Sequence, residues 1–222
     1  MVMIFGCDET ITIVEPETGI AYIKYIQSSS ISPALDWTYF NPRTYTLHDV
    51  AFSVGYRTSD GYWQFDSGPT DFRFYKAEDI TPSATLNYNF DFNKAYTVIT
   101  YDEGNGLSAD VLVVRDTIIT ETNLGKSLVR FINLSTDIDE FNVHEETLGT
   151  LASFSAKGVP TEYIELDPGS YLFDAMNANG GERLTNSDSL AFTGGLTYKI
   201  IFSGSALATT PTELNAQIYA EY

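Results

Sequence analysis

The sequence predicts an all-β protein made of two tandem β-sandwich domains. Its 222 residues include 15 Tyr and 14 Phe but only 2 Trp, and Thr, Val and Ile fill the same segments. These β-branched and aromatic residues are typical of half-buried strands. Short alternating segments recur between turn residues at intervals of about 8 to 12 residues, which is the pattern of a sandwich.

A duplication within the chain indicates the two domains. Blocks of the first half recur, in the same order, about 100 residues later, and a fixed spacing of this kind is the signature of repeated units. The paired blocks are 21–30 with 127–136, 62–68 with 163–169, 94–99 with 196–201, and 110–114 with 215–219.

The repeats set the predicted boundaries. Residues 1–19 form a leader, 20–117 the first sandwich and 124–222 the second, with a short polar junction between the sandwiches. About 100 residues suffice to bury a core, so each repeat is expected to fold alone.

Local patterns fix the strands and turns within each repeat. The first strand of each carries one basic side chain, Lys24 or Arg130, on the face opposite its apolar neighbours. The steps Asp-Ser-Gly and Asp-Pro-Gly that end at Gly68 and Gly169 are turn sequences, so we expect a positive φ at both glycines.

The charge balance excludes some classes of partner. There are 30 acidic and 12 basic residues, giving a net charge of −18. Such a chain repels phosphate backbones, so no nucleic-acid partner is expected. A single Cys excludes an internal disulfide framework, and 2 His leave little room for a zinc site.

The N-terminus predicts a lipid anchor. Residues 1–7 are apolar up to Cys7, with Ile4 and Gly6 where a bacterial lipobox has an aliphatic and a small residue. We expect an upstream start that adds a basic, apolar signal, and a lipid on Cys7 that anchors the protein to a bacterial outer membrane or cell surface, facing outward. The alternative is a cytosolic protein with a buried thiol.

Three blocks of the second repeat carry a family resemblance. They are VRFINLSTD at 129–137, YIELDPGSY at 163–171 and TYKII at 197–201. They resemble the DUF4397 family, whose domains open with V-R-F-I-H-x-S-P-D, continue with Y-x-x-L-P-A-G-x-Y and later carry T-Y-T-V. Asn133 stands where the family has His, and Thr136 where it has Pro.

The resemblance implies an architecture and an address. The architecture is an immunoglobulin-like or transthyretin-like sandwich, often in tandem, and the address is extracytoplasmic, often with a lipid anchor. It implies no activity. The resemblance extends over both repeats and is stronger in the second.

No motif predicts catalysis. Neither His48 nor His144 lies in a nucleophile or zinc-protease motif, and no Gly-x-Ser-x-Gly elbow or phosphate-binding loop occurs. We therefore expect a protein that is not an enzyme, but a surface module for binding, adhesion or assembly. The alternative is an accessory hydrolase with paired carboxylates on the sandwich scaffold.

Two kinds of binding residue are candidates. Asp137, Asp139 and Glu140 follow a predicted strand, and alternating acids could supply two or three oxygen ligands to Ca²⁺; no other cofactor is expected. Exposed aromatics could stack on a glycan or anchor a protein ligand, although aromatics in sandwiches more often fill the core. The aromatic candidates are Trp37, Tyr39, Tyr45 and Trp63.

Overall fold

The computed structural model describes residues 19–30, 34–41, 46–76, 79–103, 109–117, 125–179, 181–185, 188–208 and 213–221. Within these ranges every regular element longer than a turn is a β-strand. The prediction of an all-β fold is confirmed, and the sheets are those of β-sandwich domains.

The first sandwich consists of two sheets of four strands. Its strands are β1 Ile20–Gln27, β2 Ala34–Asn41, β3 Thr46–Gly55, β4 Thr58–Asp66, β5 Gly68–Lys76, β6 Ala84–Phe90, β7 Ala95–Asp102 and β8 Ala109–Asp116. One sheet, with the order β4-β1-β7-β8, faces the second sandwich, and we call it the inner sheet. The other, which we call the outer sheet, has the order β3-β2-β5-β6. Strands β1 and β7 are parallel, whereas the other pairs are antiparallel.

The second sandwich repeats this plan. Its strands are β9 Ser127–Ser135, β10 Phe141–Glu145, β11 Gly149–Phe154, β12 Ile164–Leu166, β13 Gly169–Tyr171, β14 Phe173–Asn177, β15 Leu190–Phe192, β16 Thr197–Gly204 and β17 Asn215–Glu221. The inner sheet has the order β12-β9-β16-β17, again with a parallel central pair, β9 and β16. Two smaller sheets, β11-β10-β14 and β13-β15, cover its core.

Each core contains an equivalent pair of packed aromatic rings. Phe90 and Tyr96 meet edge to face at 5.0 Å in the first sandwich, and Phe192 and Tyr198 do so at 5.0 Å in the second. Each tyrosine hydroxyl also accepts a hydrogen bond from a backbone N–H at the end of the preceding strand. Edge-to-face rings add to the gain from apolar burial, so the two cores are fixed in the same way.

The two inner sheets face each other and bury a third apolar cluster. The sequence analysis predicted a basic side chain, Lys24 or Arg130, on the face of each first strand that points away from its own core. In the structure the other sandwich covers that face. Strand β16 is consequently buried along its whole length, on both faces. The cluster consists of Ile26, Ile99 and Val114 from the first sandwich and Ile132, Leu134, Ile201 and Tyr219 from the second. We call this surface the inter-sandwich contact.

The predicted glycine turns are confirmed. Gly68 has a φ of 115° and Gly169 a φ of 156°, and each begins a strand after a turn. A side chain at Gly68 would force the backbone out of a region that essentially only glycine occupies.

We expect Gly68→Ala to lower the free energy of unfolding by about 1 to 3 kcal/mol, because the strain of a positive φ falls on the new side chain. Chemical denaturation measures the change. Gly61→Ala is the control, since a Cβ at Gly61 meets no atom within 4 Å. Equal stability of the two variants would contradict the prediction.

Candidate functional site

Four charged side chains meet inside the inter-sandwich contact. The Lys199 Nζ lies 2.6 Å from Asp116 Oδ1 and 2.7 Å from Glu221 Oε1. The Arg130 Nη2 lies 3.4 Å and 3.1 Å from the same two oxygens. None of the four side chains is more than 8% exposed. We call them the buried ion cluster.

Hydroxyl and aromatic groups surround the buried ion cluster. The Tyr62 hydroxyl donates to Asp116 Oδ2, and the Tyr163 hydroxyl donates to Glu221 Oε2 at 2.8 Å. The Arg130 guanidinium lies 4.8 Å from the centre of the Tyr163 ring. The carboxylates are thus satisfied by hydroxyls as well as by cations, which a buried charge requires.

Two further groups extend the cluster across the contact. Lys24 donates from Nζ to the Ala220 carbonyl at 2.8 Å, and its ammonium lies 5.5 Å from the centre of the Tyr62 ring. Lys199 also donates to Thr97 Oγ1 at 2.9 Å. The two hydrogen bonds, from Lys24 to Ala220 and from Lys199 to Thr97, join one sandwich to the other, whereas the contact between Lys24 and Tyr62 lies within the first sandwich.

The cluster is pseudo-symmetric, and the sequence held a signal for it. Equivalent strands supply Lys24 and Arg130, and equivalent last strands supply Asp116 and Glu221. Tyr62 and Tyr163 begin the matched blocks 62–68 and 163–169. Both repeats have a basic residue in the first strand and an acidic residue at the end of the last strand, and this pattern is a signal for a shared contact. The prediction from sequence considered only the basic residues.

Burial sets the protonation behaviour of the lysines. Burial lowers the pKa of Lys199, although the Asp116 and Glu221 charges oppose this change. Burial also lowers the pKa of Lys24, and the neighbouring Lys199 charge lowers it further. Both amines therefore lose a proton more readily than an exposed lysine does.

The tyrosines remain hydrogen-bond donors. Burial, followed by the Asp116 charge, raises the pKa of Tyr62 well above its ordinary value. Burial and the Glu221 charge raise the pKa of Tyr163 in the same way. Both phenols therefore keep their protons and continue to donate to the carboxylates.

Arg57 ties the two sandwiches together at a second place. Its Nη2 donates to the Ser203 carbonyl at 2.9 Å and to the Glu213 carbonyl. Its backbone has a φ of 58°, an uncommon value for a side chain that is not glycine. The equivalent residue of the second repeat is Gly158, with a φ of 76°. The first repeat thus has an arginine at a backbone position that favours glycine, and the guanidinium of this arginine bridges to the other sandwich.

A cavity of about 370 Å³ opens at one end of the cluster. It lies where β7 begins and β8 ends, and its walls include Lys94, Arg115, Asp116 and Thr117. Arg115 lies 3.7 Å from Asp91 in an exposed ion pair. The Asp116 side chain itself is only 1% exposed.

The acidic turn predicted to hold Ca²⁺ has another structural role. The Asp137 carboxylate accepts hydrogen bonds from Ser205 Oγ at 2.6 Å and from the backbone N–H groups of Ala206 and Leu207. Asp139 and Glu140 are exposed. No group of three or more metal-binding side chains occurs among the described residues. The calcium hypothesis stays untested.

The hydrogen bonds to Asp137 predict a pH-dependent stability. Burial alone would raise the pKa of Asp137, but the bonds from Ser205, Ala206 and Leu207 outweigh it and hold the pKa below the ordinary 3.8. A carboxyl with a lowered folded-state pKa stabilises the fold above its unfolded pKa. That stabilisation is lost as the pH falls through the folded-state pKa.

At neutral pH we expect Asp137→Asn to lower the free energy of unfolding by about 1 kcal/mol. The difference from the unsubstituted protein should shrink as the pH falls below 3.8. Denaturant titrations at a series of pH values measure it, with Asp139→Asn as the control. A difference that is constant with pH would refute the electrostatic origin.

The aromatic candidates are distributed over both sheets of the first sandwich. Trp63 lies on β4, an edge strand, and is 38% exposed. Trp37 and Tyr39 lie on β2 in the outer sheet. Tyr45 and Cys7 lie outside the described residues. The side chains of Trp37 and Tyr39 also lie outside the described part of the structure.

The histidines lie away from the buried ion cluster. His48 is on β3 and His144 on β10, both outside the two inner sheets. The carboxylates of Asp116 and Glu221 both contact Lys199, and each side chain is only 1% exposed.

Fold and contacts define a protein of two β-sandwiches whose buried charges hold one sandwich against the other. The chain belongs to the family described as Domain of unknown function (DUF4397), which matches residues 21–144. The match spans the first sandwich, β9 and most of β10, although the sequence motifs had pointed more strongly to the second repeat.

Solved structures resemble the chain only distantly. The Bacillus anthracis TIE protein is 10% identical with a TM-score of 0.29, over 82% of this chain and 34% of that one. The fimbrial anchor protein Mfa2 from Porphyromonas gingivalis is 7% identical with a TM-score of 0.21, over 91% of this chain and 97% of that one. The chain thus spans about a third of the Bacillus anthracis protein.

No protein of curated function matches the sequence. Within the described ranges, no helix is long and apolar enough to cross a membrane.

Proposed function

We propose that the protein is a non-enzymatic module of the bacterial cell surface, anchored by a lipid on Cys7, that binds a ligand through Trp63. A neutral glycan is the ligand class that fits best. The supporting observation is that Trp63 is at once exposed and held in one orientation.

The indole of Trp63 is fixed by a chain of two hydrogen bonds. Its Nε1 donates to Asp60 Oδ2 at 2.9 Å, and Asp60 Oδ1 accepts from the Tyr25 backbone N–H at 2.8 Å. Tyr25 is buried in β1, so the chain of bonds ends in the core of the first sandwich. A side chain that is already ordered loses little entropy when a ligand binds.

The position and charge of Trp63 favour a neutral, flat ligand. An exposed Trp face can stack on a sugar ring or anchor a protein interface. With a net charge of −18, the protein repels acidic polymers, which favours neutral glycans over acidic ones.

The buried ion cluster supports a role without catalysis. Its carboxylates are covered by the opposing sandwich and already bind two cations and two phenols. A general acid or base needs to reach its substrate within hydrogen-bonding distance. The charges that could act as a hydrolase pair are instead committed to joining the sandwiches.

A glycan array with the labelled protein tests the proposal. We expect binding to neutral glycans, at least tenfold weaker for Trp63→Ala, and unchanged for Phe92→Ala, an aromatic control that is 46% exposed on a turn. Circular dichroism of each variant checks the fold. Failure to bind any glycan, or equal binding by Trp63→Ala, would reject the proposal.

The anchor is tested separately. Mass spectrometry of the protein from its native bacterium should find acyl chains on Cys7, and Cys7→Ala should move the protein to the soluble fraction. An unmodified Cys7 in a cytosolic protein would reject the surface location and leave the fold unaffected.

A further inference from the structure

The arrangement of Lys199, Asp116 and Glu221 has the geometry of an amide-forming centre. A buried primary amine lies 2.6 Å from an oxygen of one carboxylate and 2.7 Å from an oxygen of a second. All three side chains are 1% exposed. We propose that the Lys199 amine and the Asp116 carboxyl condense to an amide bond that covalently joins β16 to β8, and hence the two sandwiches.

The reacting groups are already held together. The Lys199 Nζ lies 2.6 Å from Asp116 Oδ1, so the amine is held beside the carboxyl group whose carbon it would attack. Holding two reactants in this way removes much of the entropic barrier of a bimolecular reaction. The packed inner sheets supply this constraint, because each reactant is on a strand of a different sandwich.

The environment makes the amine nucleophilic and the carboxyl electrophilic. Burial lowers the pKa of Lys199, so its neutral form is more populated than that of an exposed lysine. Asp116 receives hydrogen bonds from the Tyr62 hydroxyl, from Thr97 Oγ1 at 2.8 Å and from Arg130 Nη2 at 3.4 Å. These donors are placed to stabilise the negative oxygen of a tetrahedral intermediate.

The step balances without any co-reactant. Glu221 relays one proton from the Lys199 ammonium to an oxygen of Asp116, and the nitrogen lone pair attacks the carboxyl carbon. Glu221 then takes a second proton from the nitrogen and gives it to the leaving hydroxyl. One C–N bond forms, one C–O bond breaks, and one water molecule leaves through the cavity of about 370 Å³ beside Asp116.

The product is favoured by its surroundings. An ammonium and a carboxylate, both costly to bury, become a neutral amide. Because none of the cluster side chains is more than 8% exposed, little water reaches the amide to hydrolyse it.

The intact mass of the purified protein, measured under denaturing conditions, decides the proposal. We expect the mass to lie below the sequence mass by one water molecule. Fragment spectra of a protease digest should contain a branched peptide that links Lys199 to Asp116. An unmodified mass, also after prolonged incubation of the folded protein, overturns the proposal.

Variants separate the chemistry from other losses of water. Lys199→Met and Glu221→Gln should both have the full mass, whereas Lys126→Met, which removes an amine paired with Asp167 outside the cluster, should retain the loss. A loss located at the Asp60-Gly61 step, where an aspartyl ring can close, overturns the proposal, as does a link from Lys199 to Glu221. Since the unsubstituted protein already gives a decisive mass, a variant that fails to fold does not weaken the test.

Discussion

In protein that has not formed the Lys199–Asp116 amide, Lys199→Met should lower the free energy of unfolding by about 3 to 5 kcal/mol, the range for removing one partner of a buried ion pair. The methionine fills much of the same volume, so the loss is mainly electrostatic. Asp116 and Glu221 would remain buried against a single guanidinium, that of Arg130, at 3.4 Å and 3.1 Å. Denaturant-induced unfolding followed by tryptophan fluorescence measures the change.

Two further variants identify the cause of this loss. Lys126→Met removes a lysine from an exposed pair with Asp167, and it should cost less than about 1 kcal/mol. Adding Glu221→Gln to Lys199→Met leaves one carboxylate for one guanidinium, and it should recover part of the stability. If the double variant is less stable than Lys199→Met alone, unbalanced charge is not the cause.

Ile132→Asp should split the unfolding of the protein into two transitions. Ile132 is fully buried in the apolar cluster between the sandwiches, among the other isoleucines. Separating the sandwiches hydrates the new charge, and the separation costs less than burying the charge, which amounts to several kcal/mol. Calorimetry should show one cooperative melt for the unsubstituted protein and two for the variant.

The same experiment tests whether each sandwich folds by itself. Ile80→Asp is the control, because Ile80 is 97% exposed and its substitution should leave a single melt. If Ile132→Asp abolishes folding altogether, the sandwiches depend on each other and the expectation that each repeat folds alone is wrong. If the variant still melts in one transition, the contact is not what couples them.

Local patterns in the sequence were sufficient for the fold class. Alternation and turn chemistry depend on neighbouring residues, so they can be read without knowing the tertiary contacts. Gly68 and Gly169 illustrate this, since the turn sequences alone predicted their positive φ. Strand alternation also put Lys24 on the face away from the core of its own sandwich, although Ile26 shares that face.

The packing of one sandwich on the other could not be predicted in the same way. The ion pair between Lys199 and Asp116 joins residues far apart in the sequence, on strands of different sandwiches. No local sequence pattern encodes such a pairing. Nor did the composition of β16 show it, because a strand buried on both faces resembles any other apolar run.

Candidate binding residues were harder to predict than strands. The exposure of Trp63 depends on its place in an edge strand, and a strand's place in a sheet follows from topology, not from its own residues. The role of Asp137 was hard to predict for a different reason. Its turn looked rich in oxygen ligands, but the loop that donates hydrogen bonds to its carboxylate follows β16, far along the chain.

The pseudo-symmetry of the inter-sandwich contact limits how such repeats can be assembled. Both sandwiches use the same face, with Ile26 equivalent to Ile132 and Ile99 equivalent to Ile201. A contact of this self-complementary kind closes on itself, as the interface of a two-fold dimer does. A third copy could not be added by the same surface, so longer chains of these domains would be built in pairs. A single copy would instead present an uncovered face that matches its own.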